Sequence, residues 1–182
     1  PGDEQKKREP FSNDDMRILF NEFDKLDNKK YIYYILAYTG IRPSELWKCH
    51  ISQEDGIYYF DLTSKEIELK TRQSRRKIPL HSKLLELNIQ DKLSSLQAEF
   101  RQEYLSIYFN KTIKKVLPDD NNKIMYSFRH TVATELKRAG VNMDKVSELL
   151  GHSYENDSMT KSTYAAEYTL KQLKEAIDDL NY

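Results

Sequence analysis

The strongest constraint on the fold is a glycine–proline break near residue 40, in the stretch TGIRPSEL. Gly40 follows a run of apolar residues and is suited to end a helix in the left-handed conformation. Pro43 is suited to the first turn of the next helix, because that position leaves the backbone N–H unpaired anyway. The chain must therefore turn sharply between two helices, and Arg42 is expected to project from that bend at a rigid position.

Helical periodicity covers most of the remaining chain, and glycines mark several helix ends. Gly140 and Gly151 each fall just past a run with helical spacing, as helix stop signals do. The apolar residues Phe128, Val132 and Leu136 share one helical face. The pattern predicts helices within residues 12–26, 28–40, 43–50, 82–117, 127–140 and 142–151, and two short segments near the end of the chain.

Residues 56–80 have a different pattern, with short and partly alternating runs rich in β-forming residues. We expect three strands, GIYYFDL (56–62), EIELK (66–70) and RKIPL (76–80), with TRQS as a turn. The predicted fold class is mainly α (α+β): a helical domain over residues 11–182 with a small three-stranded antiparallel sheet. Residues 1–10 are polar, contain two prolines and are interpreted as a linker or boundary segment.

Composition excludes several classes of protein. No apolar run approaches the roughly 20 residues that span a bilayer. Cys49 is the single cysteine among 182 residues, so an internal disulfide is excluded and a reducing, cytoplasmic location is expected. No Cys/His cluster has metal-ligand spacing. The net charge is zero, yet residues 65–77 contain six basic and two acidic residues. A neutral chain can therefore still present a basic face that binds a polyanion.

Four motifs in order make the chain resemble the tyrosine recombinases, or phage-type integrases, from about Phe11 to the end. TGIRPSEL resembles the first arginine motif of that family, and KTRQSRRKIPLH its lysine-bearing β-hairpin. The stretch YSFRHTVATELKRAGVNMDKVSELLGHS resembles the second arginine motif running through to Leu-Gly-His. STYAAEY resembles the nucleophile segment.

The resemblance implies a mechanism for DNA strand cleavage. Arg42 and Arg129 would clamp the non-bridging oxygens of a phosphate, and His152 would donate another hydrogen bond to it. Lys70 would protonate the departing 5′ oxygen as general acid. Tyr164 would be the nucleophile and form a 3′-phosphotyrosyl link, which conserves the ester so that rejoining needs no ATP. Because side chains would balance the charge on the phosphate, no metal would be needed. No cofactor is expected.

Tyr126 stands where the family usually has histidine. A tyrosine hydroxyl can donate a hydrogen bond to a phosphate oxygen, but its pKa near 10 makes it a poor proton shuttle at neutrality. We therefore place Tyr126 among the catalytic candidates as a hydrogen-bond donor only. The basic hairpin supplies candidates for contact with the DNA backbone, namely Arg72, Arg75, Arg76 and Lys77.

Several assignments keep a rival. The other basic residues of the hairpin compete with Lys70, and Tyr168, one helical turn later, competes with Tyr164. Glu45 is expected either to pair with Arg42 or to cap the following helix.

The expected partner is double-stranded DNA, bound by a tetramer that is a monomer when free, with no membrane. The C-terminal segment either docks on a neighbouring protomer or folds back on its own domain. A type IB topoisomerase-like enzyme and a catalytically inactive DNA-binding regulator are the alternative functions.

Overall fold

Helices dominate the computed structural model, which describes residues 8–69, 71–120, 122–151 and 167–182. In these ranges the helices are α1 (Asn13–Phe23), α2 (Lys29–Thr39), α3 (Pro43–Leu46), α4 (Ser82–Glu86), α5 (Ile89–Glu99), α6 (Gln102–Val116), α7 (Ser127–Arg138), α8 (Met143–Leu150) and α9 (Leu170–Ile177). The strands are β1 (His50–Glu54), β2 (Ile57–Asp61) and β3 (Lys77–Pro79), and a 3₁₀-helix covers Arg72–Ser74. The predicted fold class is confirmed.

The sheet is antiparallel in the order β1-β2-β3, but two of its features differ from the prediction. The run EIEL (66–69) forms no strand, and the stretch 50–54 forms one that the sequence pattern did not indicate. Asp55 and Gly56 both have positive φ angles, 50° and 77°. They form the two-residue turn that Asp-Gly favours, so β1 pairs with β2 across it.

A long connection therefore joins β2 to β3, described over residues 62–69 and 71–76, and Arg75 holds part of it in place. Its guanidinium donates hydrogen bonds to the carbonyl oxygens of Ser64 and Ile67, the latter at 3.1 Å. In a strand, these carbonyl groups would accept hydrogen bonds from the backbone of a neighbouring strand. Here they accept them from the Arg75 side chain instead.

The core fixes helix α7 through an aromatic cluster. The Phe128 ring lies 5.1 Å from Phe11 and 5.2 Å from Phe109, centroid to centroid, and Phe109 in turn lies 5.2 Å from Tyr33. All four rings are almost completely buried. Burying an aromatic side chain stabilises a fold by roughly 1.5–3 kcal/mol, so this cluster anchors the first turn of α7.

The predicted break between α2 and α3 is confirmed. Gly40 ends α2 with a φ of 62°, and Arg42 lies at the N-cap of α3, which Pro43 begins. A Cβ atom at Gly40 would lie 2.6 Å from Leu150 Cδ2 and 3.2 Å from Val132 Cβ. Side chains of α7 and α8 therefore pack directly against the backbone at this bend.

The C-terminal helix α9 folds back on its own domain, the second of the two expected arrangements. Leu173, Ala176 and Ile177 are buried on its inner face. Asp178 accepts a hydrogen bond from the Ser82 backbone N–H at 2.8 Å, and the Tyr182 hydroxyl donates to the Ala37 carbonyl at 2.8 Å. Among the described helices, none is long and apolar enough to cross a membrane.

We predict that Gly40→Ala destabilises the protein much more than Gly140→Ala. Both glycines have positive φ, which costs alanine about 1–2 kcal/mol, but an added methyl at Gly140 meets nothing within 4 Å. At Gly40 the same methyl must displace Leu150 and Val132, so the total loss should exceed about 2 kcal/mol. Urea unfolding of both variants measures this difference, and equal losses would show that the close approach at Gly40 is unimportant.

Candidate functional site

Arg42 projects from the bend into a polar cluster. Its Nη1 atom donates to Glu45 Oε1 at 2.5 Å and to Ser74 Oγ at 3.2 Å, and its Nη2 atom donates to the Gly151 carbonyl at 3.1 Å. The side chain retains 19% of its accessible surface. Arg42 is thus held by three parts of the chain and still has access to solvent.

Arg129 lies in the first turn of α7 and is 1% exposed. Its Nη1 atom donates to the Gly40 carbonyl at 2.9 Å, and its Nη2 atom donates to the Leu150 carbonyl. The buried Nε atom has no hydrogen-bond partner within the described ranges. The aromatic anchor at Phe128 explains why a charged side chain can be held inside the domain at this position.

Three guanidiniums meet at the end of helix α8. Arg76 Nε donates to the Leu149 carbonyl at 2.8 Å, Arg129 to Leu150, and Arg42 to Gly151. The last carbonyl groups of a helix have no partner in the helix and carry its partial negative charge. Because the three acceptors are consecutive in the chain, Arg42 and Arg129 are brought side by side, as the sequence predicted.

Glu45 is the carboxylate of this cluster and is 3% exposed. Besides Arg42, it binds Arg76 through Oε2 at 2.9 Å and accepts the Arg42 backbone N–H at 3.1 Å. Burial favours its neutral form, but the hydrogen bonds and charges of Arg76 and Arg42 outweigh it and lower the pKa of Glu45. Glu45 therefore does both things expected of it, pairing and capping, and also binds Arg76.

The cluster has an excess of positive charge. Within the described residues, Glu45 forms ion pairs with Arg42 and Arg76, and no carboxylate forms an ion pair with Arg129. Burial, together with the charges of Arg42 and Arg76, lowers the pKa of Arg129 to about 10, so it stays charged at neutral pH. A site with two adjacent and incompletely neutralised guanidiniums is suited to bind an anion with several oxygens.

The four hairpin residues expected at the DNA backbone occupy different environments. Arg72 is exposed, Lys77 forms an ion pair with Glu54 at 2.5 Å, and Arg75 binds the connecting segment. Arg76 was expected to contact the DNA backbone from the surface, but it is 6% exposed and its guanidinium binds Glu45 and the Leu149 carbonyl of α8. Side chains two residues apart in a strand lie on the same face, so the apolar Ile78 could have indicated that Arg76 is also buried.

Tyr126 lies at the N-cap of α7, half-buried, where it lines a groove together with Arg42. Its ring packs edge-on against His130, with centroids 5.5 Å apart. Burial and the positive charge of Arg129 both lower the pKa of His130, which favours its neutral form. The tyrosine therefore lies beside the arginine cluster, and its role as a hydrogen-bond donor stays a prediction.

Lys70, His152 and Tyr164 lie outside the described residues, but Thr71 and Gly151, which adjoin the first two in the chain, are linked to the cluster. Thr71 Oγ1 lies 3.0 Å from the hydroxyl of Ser74, which accepts from Arg42. Gly151 accepts from Arg42 directly. Tyr168 donates its backbone N–H to Glu148 of α8 at 3.3 Å. No group of three or more potential metal ligands occurs in the part of the chain that the structure describes.

Residues 11–170 match the family model described as the phage integrase family. Among solved structures, the XerH site-specific recombinase bound to difH substrate is similar, with a TM-score of 0.62 and 18% identity over 81% of this chain and 48% of that chain. The integrase from mycobacterium phage Brujita has a TM-score of 0.61 and 18% identity, over 100% of this chain and 61% of that chain.

The Tn1549 transposon integrase in complex with transposon right end DNA is also similar, with a TM-score of 0.59 and 19% identity over 99% of this chain and 68% of that chain. At these identities the likeness shows the fold, and the chain spans about half the length of the XerH chain, 48%. No curated protein sequence matches the chain.

We predict that Glu45→Ala lowers the free energy of unfolding by about 3–5 kcal/mol, because it leaves the buried guanidinium of Arg76 unpaired. Glu54→Ala is the matched control: it removes the partner of Lys77 in an ion pair whose side chains are 35% and 50% exposed. That control should cost at most about 1 kcal/mol. Denaturant titration compares the two variants, and similar small losses would contradict the role given to Glu45.

Proposed function

The chain belongs to the phage integrase family, and we propose that it is the catalytic domain of a site-specific tyrosine recombinase. It would cleave and rejoin double-stranded DNA through a covalent 3′-phosphotyrosyl intermediate. The observation that carries this proposal is the convergence of Arg42 and Arg129, which bind the adjacent carbonyl groups of Gly151 and Leu150. Two guanidiniums held side by side provide the donors that a reacting phosphate requires.

The chemistry explains why two arginines are needed. Attack of a hydroxyl on a phosphodiester increases the negative charge on the non-bridging oxygens in the transition state. Guanidiniums donate paired hydrogen bonds to such oxygens and remain charged at any physiological pH. Donors that are already in place need no reorganisation as charge develops, and a single such donor can contribute 10²–10³-fold to rate. Arg42 and Arg129 would supply this stabilisation without a metal ion.

The remaining catalytic roles would fall on Lys70, His152 and Tyr164. Lys70 precedes Thr71 and would protonate the leaving 5′ oxygen. His152 follows Gly151 and would donate a further hydrogen bond to the phosphate. Tyr164 would be the nucleophile; the chain after it returns to α8, where Glu148 accepts the Tyr168 backbone N–H.

Tyr126 would complete the set of donors at the phosphate. Its hydroxyl can hydrogen-bond to a non-bridging oxygen, while proton transfer at neutral pH would fall to other groups. The exposed Arg72, with Arg75 and Lys77 nearby in the hairpin, would contact the DNA backbone. Arg76 is left out of this set because its guanidinium is committed to Glu45.

The assembly that performs recombination would be a tetramer on DNA, formed from a protein that is a monomer when free and resides in the cytoplasm. No ATP is required, because the phosphotyrosyl ester retains the bond that rejoining uses. The two alternative functions would give different results with DNA. A type IB topoisomerase-like enzyme would nick and reseal one strand without exchanging partners, and a DNA-binding regulator would bind without cleavage.

A nicked suicide duplex tests the proposed nucleophile. The duplex is selected for binding from a randomised library and carries a nick beside the cleaved position, so that the short cleaved strand diffuses away. Wild-type protein should accumulate a covalent protein–DNA adduct, visible as a shifted band after denaturing electrophoresis. Tyr164→Phe should form none, because it lacks the attacking oxygen.

Tyr168→Phe is the matched control and should retain adduct formation. The interactions of Tyr168 in the structure use its backbone N–H and its ring, which lies 5.4 Å from Lys145 Nζ, and neither needs the hydroxyl. Specific binding without an adduct would contradict the enzyme and support the DNA-binding regulator. An adduct from Tyr164→Phe would contradict the assignment of the nucleophile.

A further inference from the structure

Two basic side chains bind the segment that precedes Lys70, which we call the lysine arm (residues 62–69). The arm forms neither a helix nor a strand. The Arg75 guanidinium lies within 3.5 Å of four of its backbone carbonyl oxygens, those of Thr63, Ser64, Lys65 and Ile67. Lys48, in the turn before β1, donates through Nζ to the Glu68 carbonyl at 2.6 Å. Cationic side chains therefore bind the carbonyl groups that strand pairing would otherwise satisfy.

Both basic residues are attached to the backbone that holds the arginine cluster. The Lys48 backbone N–H donates to the Glu45 carbonyl at 2.9 Å. Arg75 directly precedes Arg76, whose guanidinium binds the Glu45 carboxylate. The position of the lysine arm is therefore fixed relative to Glu45, the residue that pairs with Arg42.

Arg75 connects the two halves of the loop that carries Lys70. On the far side of Lys70, Thr71 Oγ1 lies 3.0 Å from Ser74 Oγ, which accepts from Arg42 at 3.2 Å. The backbone of Arg75 follows Ser74 in this returning half, while its side chain binds the outgoing half. Loss of the Arg75 guanidinium would therefore release the lysine arm and leave the contact between Ser74 and Arg42 in place.

We propose that Arg75 and Lys48 are positioning residues for the general acid Lys70; this rests on the proposed function. A general acid must lie within hydrogen-bond reach of the atom that it protonates. A displacement of about 1 Å, even one caused far from the reacting atoms, can slow a reaction about 10²-fold. Arg75 and Lys48 would act on the reaction through the lysine arm, by holding Lys70 in register with the phosphate that Arg42 binds.

A duplex with sulfur in place of the departing 5′ oxygen isolates the protonation step. In both reactions the Tyr164 hydroxyl loses its proton to solvent and its oxygen bonds to phosphorus, while the bond from phosphorus to the 5′ atom breaks. When that atom is oxygen, the Lys70 ammonium gives it a proton and becomes a neutral amine. When it is sulfur, a thiolate leaves without a proton, because the pKa of a thiol is about 8.5. A defect in proton delivery therefore disappears on the sulfur duplex.

The test measures the rate of adduct formation on both duplexes for the wild-type protein and for Lys70→Ala, Arg75→Ala and Lys48→Ala. On the oxygen duplex, Arg75→Ala should be about tenfold slower and Lys48→Ala about threefold slower, a part of the 10²–10⁴-fold that a general acid contributes. On the sulfur duplex, all three variants should react within about twofold of wild type. Lys48 is exposed, so its variant tests the proposal even if Arg75→Ala is unstable.

Lys65→Ala is the matched control in the same arm. Lys65 is exposed, and it faces Arg75 through its backbone carbonyl, which the substitution retains. This variant removes a basic side chain from the arm without removing a carbonyl that Arg75 binds. It should therefore keep the wild-type ratio of the two rates.

Equal losses on both duplexes for Arg75→Ala and Lys48→Ala would overturn the proposal. A side chain that only bound the DNA backbone or only stabilised the fold would slow both reactions alike. If sulfur still restored Lys70→Ala in that case, the recombinase function and its general acid would stand. Failure of the wild-type protein to form an adduct on either duplex would instead contradict the proposed function, and this inference with it.

Discussion

The site depends on the hydrogen bonds that three arginine side chains donate to the last carbonyl groups of helix α8. Guanidiniums repel one another, and bringing three of them together inside a domain requires negative charge at the same place. The final carbonyl groups of α8 supply part of it, as the end of a helix carries about half an elementary negative charge. Glu45 adds one negative charge, which pairs with Arg42 and Arg76. The cluster is held in position without being fully neutralised, which is the condition for binding a further anion.

This arrangement gives several residues a role at a distance from the reacting atoms. Arg76 does not line the groove beside Arg42. It does bind Glu45 and the end of α8, to which Arg42 and Arg129 also donate hydrogen bonds. Gly40 ends a helix and also offers its carbonyl to Arg129. A change at either position would therefore move the two arginines relative to each other, although neither residue would touch DNA.

Much of the fold could be predicted because local signals and packing agree. Gly40 and Pro43 fix the bend, and the apolar face of α7 carries Arg129 into the core behind Phe128. The strands were predicted less well. The run EIEL alternates like a strand, but the Asp55-Gly56 turn pairs β2 with the preceding residues, and long-range pairing outweighs local propensity there.

The sequence indicated which residues could form the site, but not which of them would be buried or what they would contact. Arg42 and Arg129 stand at helix ends that the sequence marks clearly. Arg76 lies in a run of basic residues that resembles a solvated surface, and only the alternation with Ile78 indicates that it turns inward. The bond between Glu45 and Arg76 joins residues that are 31 positions apart in the chain, so no local pattern could indicate it.

The central claim is that Arg42 and Arg129 act on the negative charge of one phosphate. The most direct measurement compares the rate of adduct formation on a normal duplex with the rate on a duplex whose cleaved phosphate is a neutral methylphosphonate. The account predicts that Arg42→Ala and Arg129→Ala each slow cleavage severely on the charged duplex and far less on the neutral one, because the charge they balance is gone. Equal fold losses on both duplexes would contradict it, since the arginines would then be acting on something other than that charge.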